Sequence, residues 1–512
     1  MRIPFPERIP LMPAVFFASA LAVGLVMSGT GLLFSCLAFV FVVIATLASN
    51  IGGGVTRPSG SYVFFFATQA VIIGLCVKVV LWEPVELYLL SPVTTMAMYT
   101  GGVLAMLGAV YLSRRFSRDE GFLQDICTTK DLRLGATGCV IFGIVVPTIA
   151  EIIMETSTNP VLLALATASN QLNKFLPFGI ILGVTYEIKS SGGKRSTNLW
   201  VWFAGIAIWV HSFILGFSKE GLFLPPACWL IAAAALRYQF RKTQVIAFAL
   251  FIFVSLHYFV PYCQYGRNFR GDGDTLSEQI KISTGLLSNL EDVREKDREN
   301  NEAIDRQTNI FVFFSKPMGL FDRLQMIGID DKLVTVTDDK GPYGLSPIVF
   351  YLASLIPKFI WKNKPFIIMG NTFSHEIGYA SDDLTTGISF SPVVEGYHEA
   401  KWFGVFVVCP LVWFAAFMIL DSLCGDVRKS PWGLLAIAQI AHIAPEGLLQ
   451  ALFYTMTYGA LIVFVAAMAA AYLLPMLAHF VSPPKKVFRP VEVKAPGARP
   501  AFINGRPAPT QL

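Results

Sequence analysis

The feature of this sequence that most limits its fold is a succession of apolar runs, each of about 20 residues and almost free of charge. A run of that length, wound as a helix, matches the hydrocarbon core of a bilayer, which is about 30 Å thick. Only 15% of the residues are charged, whereas soluble domains carry about 25%. The sequence therefore predicts an all-α, polytopic integral membrane protein, because a helix satisfies its own backbone hydrogen bonds in lipid.

Twelve such runs can be delimited, and they predict about 12 transmembrane helices. The eighth run contains Pro225 and Pro226, and Lys174 and neighbouring amide side chains interrupt the sixth. Arg2 and Arg8 precede the first run, as in a signal peptide, but a second run follows at once, so an uncleaved first helix is favoured. The predicted spans are 11–28, 30–49, 62–82, 93–113, 134–155, 163–186, 199–217, 222–236, 244–262, 402–424, 432–453 and 456–480.

The distribution of basic residues predicts the orientation of these spans. Lys and Arg are concentrated in alternate loops, as expected for loops that face the cytoplasm. With this alternation, both termini lie in the cytoplasm. The basic residues of the predicted cytoplasmic loops are Arg57, Arg114, Arg115, Arg118, Lys130, Arg133, Lys189, Lys194, Arg195, Arg237, Arg241, Lys242, Arg428, Lys429, Lys485 and Lys486.

The same pattern divides the chain into four parts. A nine-helix region over 1–262 is followed by a large polar loop over 263–401, a three-helix region over 402–482 and a basic tail over 483–512. The tail is rich in Pro, Lys and Arg, which predicts a disordered cytoplasmic segment. The loop faces outward, and a loop of this length is usually functional or disordered. Its aromatic and apolar patches favour a functional loop.

Two segments of the loop have a predictable structure. Residues 277–306 carry dense mixed charge, with Leu286, Leu290 and Val293 at helical spacing, which indicates an amphipathic helix on the membrane or on the protein. Residues 345–361 are apolar but too short to span a bilayer. We expect that segment to be interfacial or re-entrant, where irregular backbone lines a polar cavity.

The loop also gathers cations close to its apolar stretches. Guanidinium and ammonium groups suit phosphate and pyrophosphate, and a lipid-linked pyrophosphate would lie at that depth. The alternative is that Lys358, Lys362 and Lys364 extend to lipid headgroups without binding a substrate. The cations are Arg267, Arg270, Lys316, Arg323, Lys358, Lys362 and Lys364.

A stretch rich in acids and histidines follows, from Gly370 to Gly404. Such a set can position a sugar hydroxyl and remove its proton. Asp382 and Asp383 could be a metal pair, but adjacent acids in a loop are more often a turn, so we predict neither a metal nor a cofactor. The ionisable residues of the stretch are His375, Glu376, Asp382, Asp383, Glu395, His398 and Glu399.

The other residues and motifs give less information about the function. No nucleotide-binding glycine motif, GxSxG or HExxH stands where its fold could support it, and no basic, aromatic face favours nucleic acid. The cysteines are too scattered for a metal site or a disulfide framework. Lys78 and Glu151, near the outer ends of their spans, are explained as interfacial anchors, and His442 is a weaker functional candidate within a span.

Several motifs in the loop resemble bacterial polysaccharide repeat-unit polymerases, the O-antigen-polymerase type of membrane protein. They are FDR around Arg323, SLIPKFIWKNKP from Ser354, GNTF from Gly370, TTGIS from Thr385 and EGYHEAKWFG ending at Gly404. The family pattern has Arg where Lys358 stands, and an Asn where this chain has Ala-Lys-Trp at 400–402.

The resemblance implies a GT-C-like enzyme of the bacterial inner membrane. It would polymerise undecaprenyl-pyrophosphate-linked oligosaccharide repeat units without metal at the periplasmic face, for exported polysaccharide or O-antigen. Its partners would be that lipid-linked substrate and the bilayer, with a chain-length regulator and a flippase as candidates. The alternatives are an O-antigen-ligase-like glycosyltransferase, a transporter or flippase of lipid-linked oligosaccharide, and a non-catalytic assembly factor.

Carried onto this chain, the resemblance implies three groups of site residues. Glu395 or His398 would be the catalytic base. The pyrophosphate would be held by cations, and the sugars would be bound by aromatic and imidazole rings. The pyrophosphate-binding candidates are Arg323, Lys358, Lys364, Arg267 and Arg270, and the sugar-binding candidates are His375, Tyr397 and Trp402.

Overall fold

The computed structural model describes residues 1–124, 126, 129–159, 162–163, 166, 174–269, 276–308, 312–316, 318, 321–356, 361, 368–379, 387–473 and 476. In these residues the chain is helical, with no strand beyond two isolated β-bridges. The helices are α1 (Leu11–Met27), α2 (Leu32–Ile51), α3 (Pro58–Leu81), α4 (Pro92–Phe116), α5 (Thr129–Thr156), α6 (Phe175–Ser190), α7 (Leu199–Leu215), α8 (Lys219–Ala235), α9 (Lys242–Phe269), α10 (Leu276–Ser288), α11 (Leu290–Thr308), α12 (Ile327–Lys340), α13 (Ser346–Ser354), α14 (Met369–Glu376), α15 (Pro392–Cys424), α16 (Gly433–Glu446) and α17 (Leu448–Leu473).

Seven helices of the described chain are long and apolar enough to cross a membrane. They are α2, α3, α4, α5, α9, α15 and α17, and α1 and α7 are shorter apolar helices. The prediction of an all-α membrane protein is confirmed. The number of 12 spans stays a prediction, because the remaining predicted spans correspond to the short helices α6, α8 and α16, of 16, 17 and 14 residues.

Hydrogen bonds join the connecting segments to one another at each of the two ends of the helices. At one end the Arg57 guanidinium donates to the Asp119 carbonyl at 2.8 Å, and the Met1 ammonium donates to the Phe240 carbonyl at 2.9 Å. At the other end the Gly31 N–H donates to Glu86 at 3.0 Å. The loops that meet at the first end are those with the excess of Lys and Arg, in agreement with the predicted alternation.

Two helix boundaries differ from the predicted spans. The last two spans were divided between 453 and 456, whereas the chain breaks at Gly447 and Leu448, where Leu448 has a positive φ of 53°. The tenth span was expected to begin at 402, whereas α15 begins at Pro392 and is interrupted by non-helical backbone at Ala400 and Lys401. Hydropathy misses the start of α15 because its first turns contain Glu395, His398 and Glu399, and it misses the break at Leu448 because that residue is apolar.

The amphipathic segment of the loop forms α10 and α11, and it lies on the protein. Val293 is 1% exposed and packs in a cluster with Phe213, Phe217 and Tyr262. The Ser283 hydroxyl donates to the Ile214 carbonyl at 3.2 Å. The loop is therefore attached to the C-terminal ends of α7 and α9 at this point.

α12 is inserted among the spans, which the sequence did not predict. α3 contains a π-helical stretch over Phe66–Ile72, whose wider turns disturb the regular hydrogen-bond ladder. The Ala70 carbonyl in this stretch accepts from the Met326 N–H at 2.9 Å. Since Ala70 lies near the middle of α3, α12 begins about half-way along that helix and not at its end. The expected re-entrant segment was 345–361, of which α13 is described.

A lysine attaches a further part of the loop to α3. Lys78 is fully buried and forms an ion pair with Glu83 at 3.0 Å. The rings of Phe313 and Phe314 lie 5.0 Å and 5.7 Å from its ammonium group, within range of a cation–π interaction. The interpretation of Lys78 as an interfacial anchor is therefore wrong, because aromatic side chains from a distant segment cover it.

Candidate functional site

Three ionisable side chains lie on one face of the first turns of α15. Glu395, His398 and Glu399 stand at helical spacing and are 0%, 2% and 1% exposed. The helix start is well defined, because the Ser391 hydroxyl accepts from the Val394 N–H at 3.3 Å and Pro392 occupies the first turn. The first residue of α15 is thus set by a strong capping signal in the sequence.

Glu395 joins three parts of the chain. The Tyr351 hydroxyl of α13 donates to one of its carboxylate oxygens, and the Leu449 N–H at the start of α17 donates to the other. That N–H is not used by its own helix, since α17 begins at Leu448. Both oxygens of Glu395 are thereby occupied, so this carboxylate has a clear role in positioning α13 and α17.

The hydrogen bonds of His398 determine its tautomer. Nδ1 lies 2.8 Å from the Thr337 hydroxyl, and that hydroxyl donates its one proton to the Leu333 carbonyl at 2.6 Å. Nδ1–H must therefore be the donor to Thr337. In the neutral ring this leaves Nε2 with a free lone pair, and Nε2 is buried without a hydrogen-bond partner in the described chain. Such a nitrogen can accept a proton.

Glu399 differs from Glu395 in that neither carboxylate oxygen has a hydrogen-bond partner among the described residues. A buried polar group without a partner costs about 1–3 kcal/mol, and more if it is charged. Rings of Tyr343 and Phe373 lie 5.5 Å and 4.9 Å from the adjacent His398 ring and close the space around it. An incoming hydroxyl group would satisfy these atoms.

Two further acids hold α12 against the spans. Asp331 accepts from the Leu90 N–H at 2.5 Å, the Ser91 N–H at 3.0 Å and the Thr95 hydroxyl at 2.8 Å. Asp330 accepts from the Tyr99 hydroxyl at 2.5 Å and from the N–H of Ser391 at 3.2 Å. These bonds fix the position of Thr337 on α12, and through it that of His398.

The burial of Asp330 predicts a pH-dependent stability. Burial raises the pKa of this carboxyl from 3.8 to about 7, against the opposing effect of its hydrogen bonds from Ser391 and Tyr99. The native protein therefore binds more protons than the unfolded chain between about pH 4 and pH 7, and its stability falls as the pH rises through that window. We expect Asp330→Asn to reduce this fall, as measured by thermal unfolding in detergent between about pH 5 and pH 8.

Asp119→Asn is the matched control, because the Asp119 side chain is 89% exposed. It should show the same dependence of the unfolding temperature on pH as the wild type. An Asp330→Asn protein whose unfolding temperature still falls as steeply as that of the wild type would contradict the prediction.

The open side of the site carries paired polar groups and an aromatic ring. Asp338 of α12 accepts from the Tyr397 hydroxyl at 2.8 Å, and the Lys401 ammonium lies 3.5 Å from the same oxygen. Lys401 has a φ of 50°, which is unfavourable for a residue with a side chain. The Trp402 ring is 39% exposed and packs edge-on against Tyr397, with centroids 5.4 Å apart.

The structure brings together some of the predicted site residues. Glu395, His398 and Tyr397 converge on α15 with Trp402 beside them, and His375 lies on α14, whose Phe373 contacts the His398 ring. The backbone of Arg323 is in the short 3₁₀ turn Phe321–Arg323, and its side chain is outside the described part. Arg267 is exposed at the end of α9, in the part of the loop attached to α7 and α9.

Six of the predicted residues lie outside the described ranges. They include three of the five pyrophosphate candidates, so the cation site stays a prediction. These residues are Arg270, Lys358, Lys362, Lys364, Asp382 and Asp383.

Several residues of the site were not singled out by sequence. Asp330 and Asp331, with Lys332 beside them, stand in the stretch Met326–Val334, whose other residues carry no charge, and acids in such a stretch were a usable signal. Tyr99 and Thr337 gave no such signal, because both are ordinary residues within a helix.

Comparison of the chain with protein-family models, characterised proteins and solved structures found no match.

Proposed function

We propose that this protein transfers glycosyl groups between undecaprenyl-pyrophosphate-linked oligosaccharides at the periplasmic face of the bacterial inner membrane, as a repeat-unit polymerase. The observation that carries the proposal is that the buried Nε2 of His398 and the adjacent carboxyl group of Glu399 have no hydrogen-bond partner among the described residues. Both residues lie in the stretch EGYHEAKWFG, which resembles a motif of the polymerase family. Buried polar atoms without partners are rare in folded proteins and are a reason to look for a ligand.

The proposed reaction needs a base and a leaving group. A hydroxyl of the acceptor sugar attacks C1 of the donor sugar, a new C1–O bond forms, and the bond from C1 to the pyrophosphate oxygen breaks. The electron pair of that bond leaves with the lipid pyrophosphate, and the hydroxyl proton passes to Nε2 of His398. The carboxyl group of Glu399 would form a hydrogen bond with a hydroxyl of the sugar that enters beside Nε2.

The other site residues would assist by position and charge. The cations Arg323, Lys358 and Lys364, with Arg267 and Arg270 as further candidates, would neutralise the leaving pyrophosphate. Tyr397, Trp402 and His375 would contact sugars, because an exposed aromatic ring flanked by hydrogen-bonding groups suits a sugar ring. In this arrangement Glu395 is a positioning residue, since Tyr351 and the Leu449 N–H occupy its oxygens.

The lipid-linked glycans of a deletion strain test the proposal. We expect the strain to accumulate single repeat units on the outer side of the membrane and to lack polymer. Long lipid-linked chains in the deletion strain would instead indicate a ligase, and single units retained on the cytoplasmic leaflet would indicate a flippase. Either result would overturn the polymerase proposal. Expression of the wild-type protein in the same strain is the control and should restore the polymer.

A further inference from the structure

A cavity lies at the end of the helices opposite to the candidate site. It has a volume of about 310 Å³ and opens between α5, the end of α6 and the start of α7, with Arg133, Tyr186, Glu187, Asn198 and Trp200 among its lining residues. This is the end where the loops with excess Lys and Arg meet. The Arg241 guanidinium donates there to the Lys194 carbonyl at 3.2 Å.

The two charged residues that line the cavity differ in their partners. Glu187 is its one lining carboxylate among the described residues, and the Arg195 guanidinium engages it at 3.0 Å. Arg133 is partly buried, and no described carboxylate lies within ion-pairing distance of it. A guanidinium in this state presents its planar set of N–H donors to an anion that enters the cavity.

The surroundings of Arg133 also favour an anion with a polar headgroup. α7 begins at Leu199 on the wall of the cavity, and the Asn198 side chain caps it by accepting from the Val201 N–H at 3.1 Å. The start of this helix adds partial positive charge. Tyr186 and Trp200 have apolar rings with one polar group each, and such side chains are enriched where membranes meet water.

An apolar face of α7 runs away from the cavity along the helix. Its side chains recur at helical spacing on one side, so hydrocarbon chains can lie against them below a headgroup in the cavity. A free phosphate ion would have no use for this surface, whereas a phospholipid would contact both parts. The exposed residues of this face are Leu199 (66%), Phe203 (48%), Ile206 (49%) and Val210 (46%).

We infer that this cavity binds the phosphate headgroup of an anionic membrane lipid, with Arg133 as its main ligand and α7 as the support of the acyl chains. Basic pockets between transmembrane helices on the cytoplasmic side are suited to such headgroups. The inference does not depend on the proposed glycosyl transfer, since the cavity and the candidate site lie at opposite ends of the helices.

The test uses the full-length protein, delipidated in detergent and titrated with phosphatidylglycerol, and native mass spectrometry counts the bound lipid. Phosphatidylcholine is the zwitterionic control. We expect tighter binding of phosphatidylglycerol, with a loss of about tenfold in Arg133→Gln, because a charge-assisted hydrogen-bond pair is removed. Glu187→Gln should bind phosphatidylglycerol more tightly than the wild type, since the lining carboxylate is gone.

The two variants are expected to change the affinity for phosphatidylglycerol in opposite directions, which a general defect of folding would not do. Lys194→Gln is the matched control, because it removes a cation at the same end that does not line the cavity. If Arg133→Gln fails to fold, Glu187→Gln still tests whether removal of the lining carboxylate strengthens the binding of phosphatidylglycerol. Equal binding of the two lipids, unchanged binding in Arg133→Gln, weaker binding in Glu187→Gln, or displacement of phosphatidylglycerol by millimolar inorganic phosphate would each overturn the inference.

Discussion

Replacement of His398 by glutamine is expected to abolish polymer formation while leaving the protein folded in the membrane. Glutamine keeps a polar side chain of similar reach but cannot accept the proton of an attacking hydroxyl. Loss of a general base lowers rates by about 10² to 10⁴. The measurement is the rate of chain growth with purified protein and lipid-linked repeat units, together with the polymer length in cells.

Two variants of Thr337 test the tautomer of His398. Their activities should differ, which would not be expected if His398 had only a structural role. Thr337→Ser keeps the hydroxyl that accepts from Nδ1–H, so activity should be retained. Thr337→Val removes it, the other tautomer is no longer disfavoured, and the rate should fall by roughly fivefold to tenfold. Equal activity of the two variants would contradict the assignment of Nε2 as the basic nitrogen.

His257→Gln is the control for the loss of an imidazole elsewhere. His257 packs against Phe253 and Tyr258 on α9, with ring centroids 5.5 Å and 4.7 Å apart, and has no part in the candidate site. Its activity should equal that of the wild type. Full-length polymer in a strain carrying a normally expressed His398→Gln protein would remove the proposed base, and with it the main support for glycosyl transfer at this site.

Replacement of Gly404 by alanine is expected to cause the second large effect, by a steric rather than a chemical route. After the break at Ala400 and Lys401, α15 returns so closely on itself that a Cβ on Gly404 would overlap the carbonyl oxygen of Gly396. Alanine favours a helix over glycine by about 1 kcal/mol, but a contact this short forces the two halves of α15 apart. We expect a loss of stability of about 3 kcal/mol, and loss of activity because His398 and Glu399 move.

The matched control is Gly108→Ala on α4, where an added Cβ meets no atom within 4 Å. That variant should unfold at the same or a higher temperature than the wild type, since only the helix preference remains. Thermal unfolding of both variants in detergent measures the difference. A Gly404→Ala protein as stable as Gly108→Ala would show that the two halves of α15 do not approach as described.

The acids on either side of the site illustrate how far sequence reasoning reached. Glu395, His398 and Glu399 were recognised as a group because they share one stretch at helical spacing. What each of them does depends on partners far along the chain. Glu395 is bonded to Tyr351 and Leu449, 44 and 54 residues away, and His398 to Thr337, 61 residues away. The local pattern therefore could not show that the Glu395 carboxylate is hydrogen-bonded, whereas Nε2 of His398 and the carboxyl group of Glu399 have no partner among the described residues.

Lys78 and Asp330 show the same limit for burial. Lys78 is one charged residue in an apolar span, and Asp330 is the first of three adjacent charged residues next to apolar ones. Hydropathy treats such residues as groups that reach water. In the folded chain the rings of Phe313 and Phe314 cover Lys78, and Asp330 meets Tyr99, 231 residues away. Only contacts between distant segments decide whether a charge is solvated, paired or excluded from water.

By itself, the sequence determined that the chain is a bundle of apolar helices in a membrane, with basic loops at one end and a large polar segment in between. Hydropathy suffices for this, because the transfer of a helix into lipid depends on the side chains of that helix alone. The tertiary structure decided that α12 enters among the spans, that α15 breaks at Ala400, and that Nε2 of His398 and the carboxyl group of Glu399 have no hydrogen-bond partner among the described residues. These features follow from long-range hydrogen bonds and close packing, whose energies depend on which segments meet.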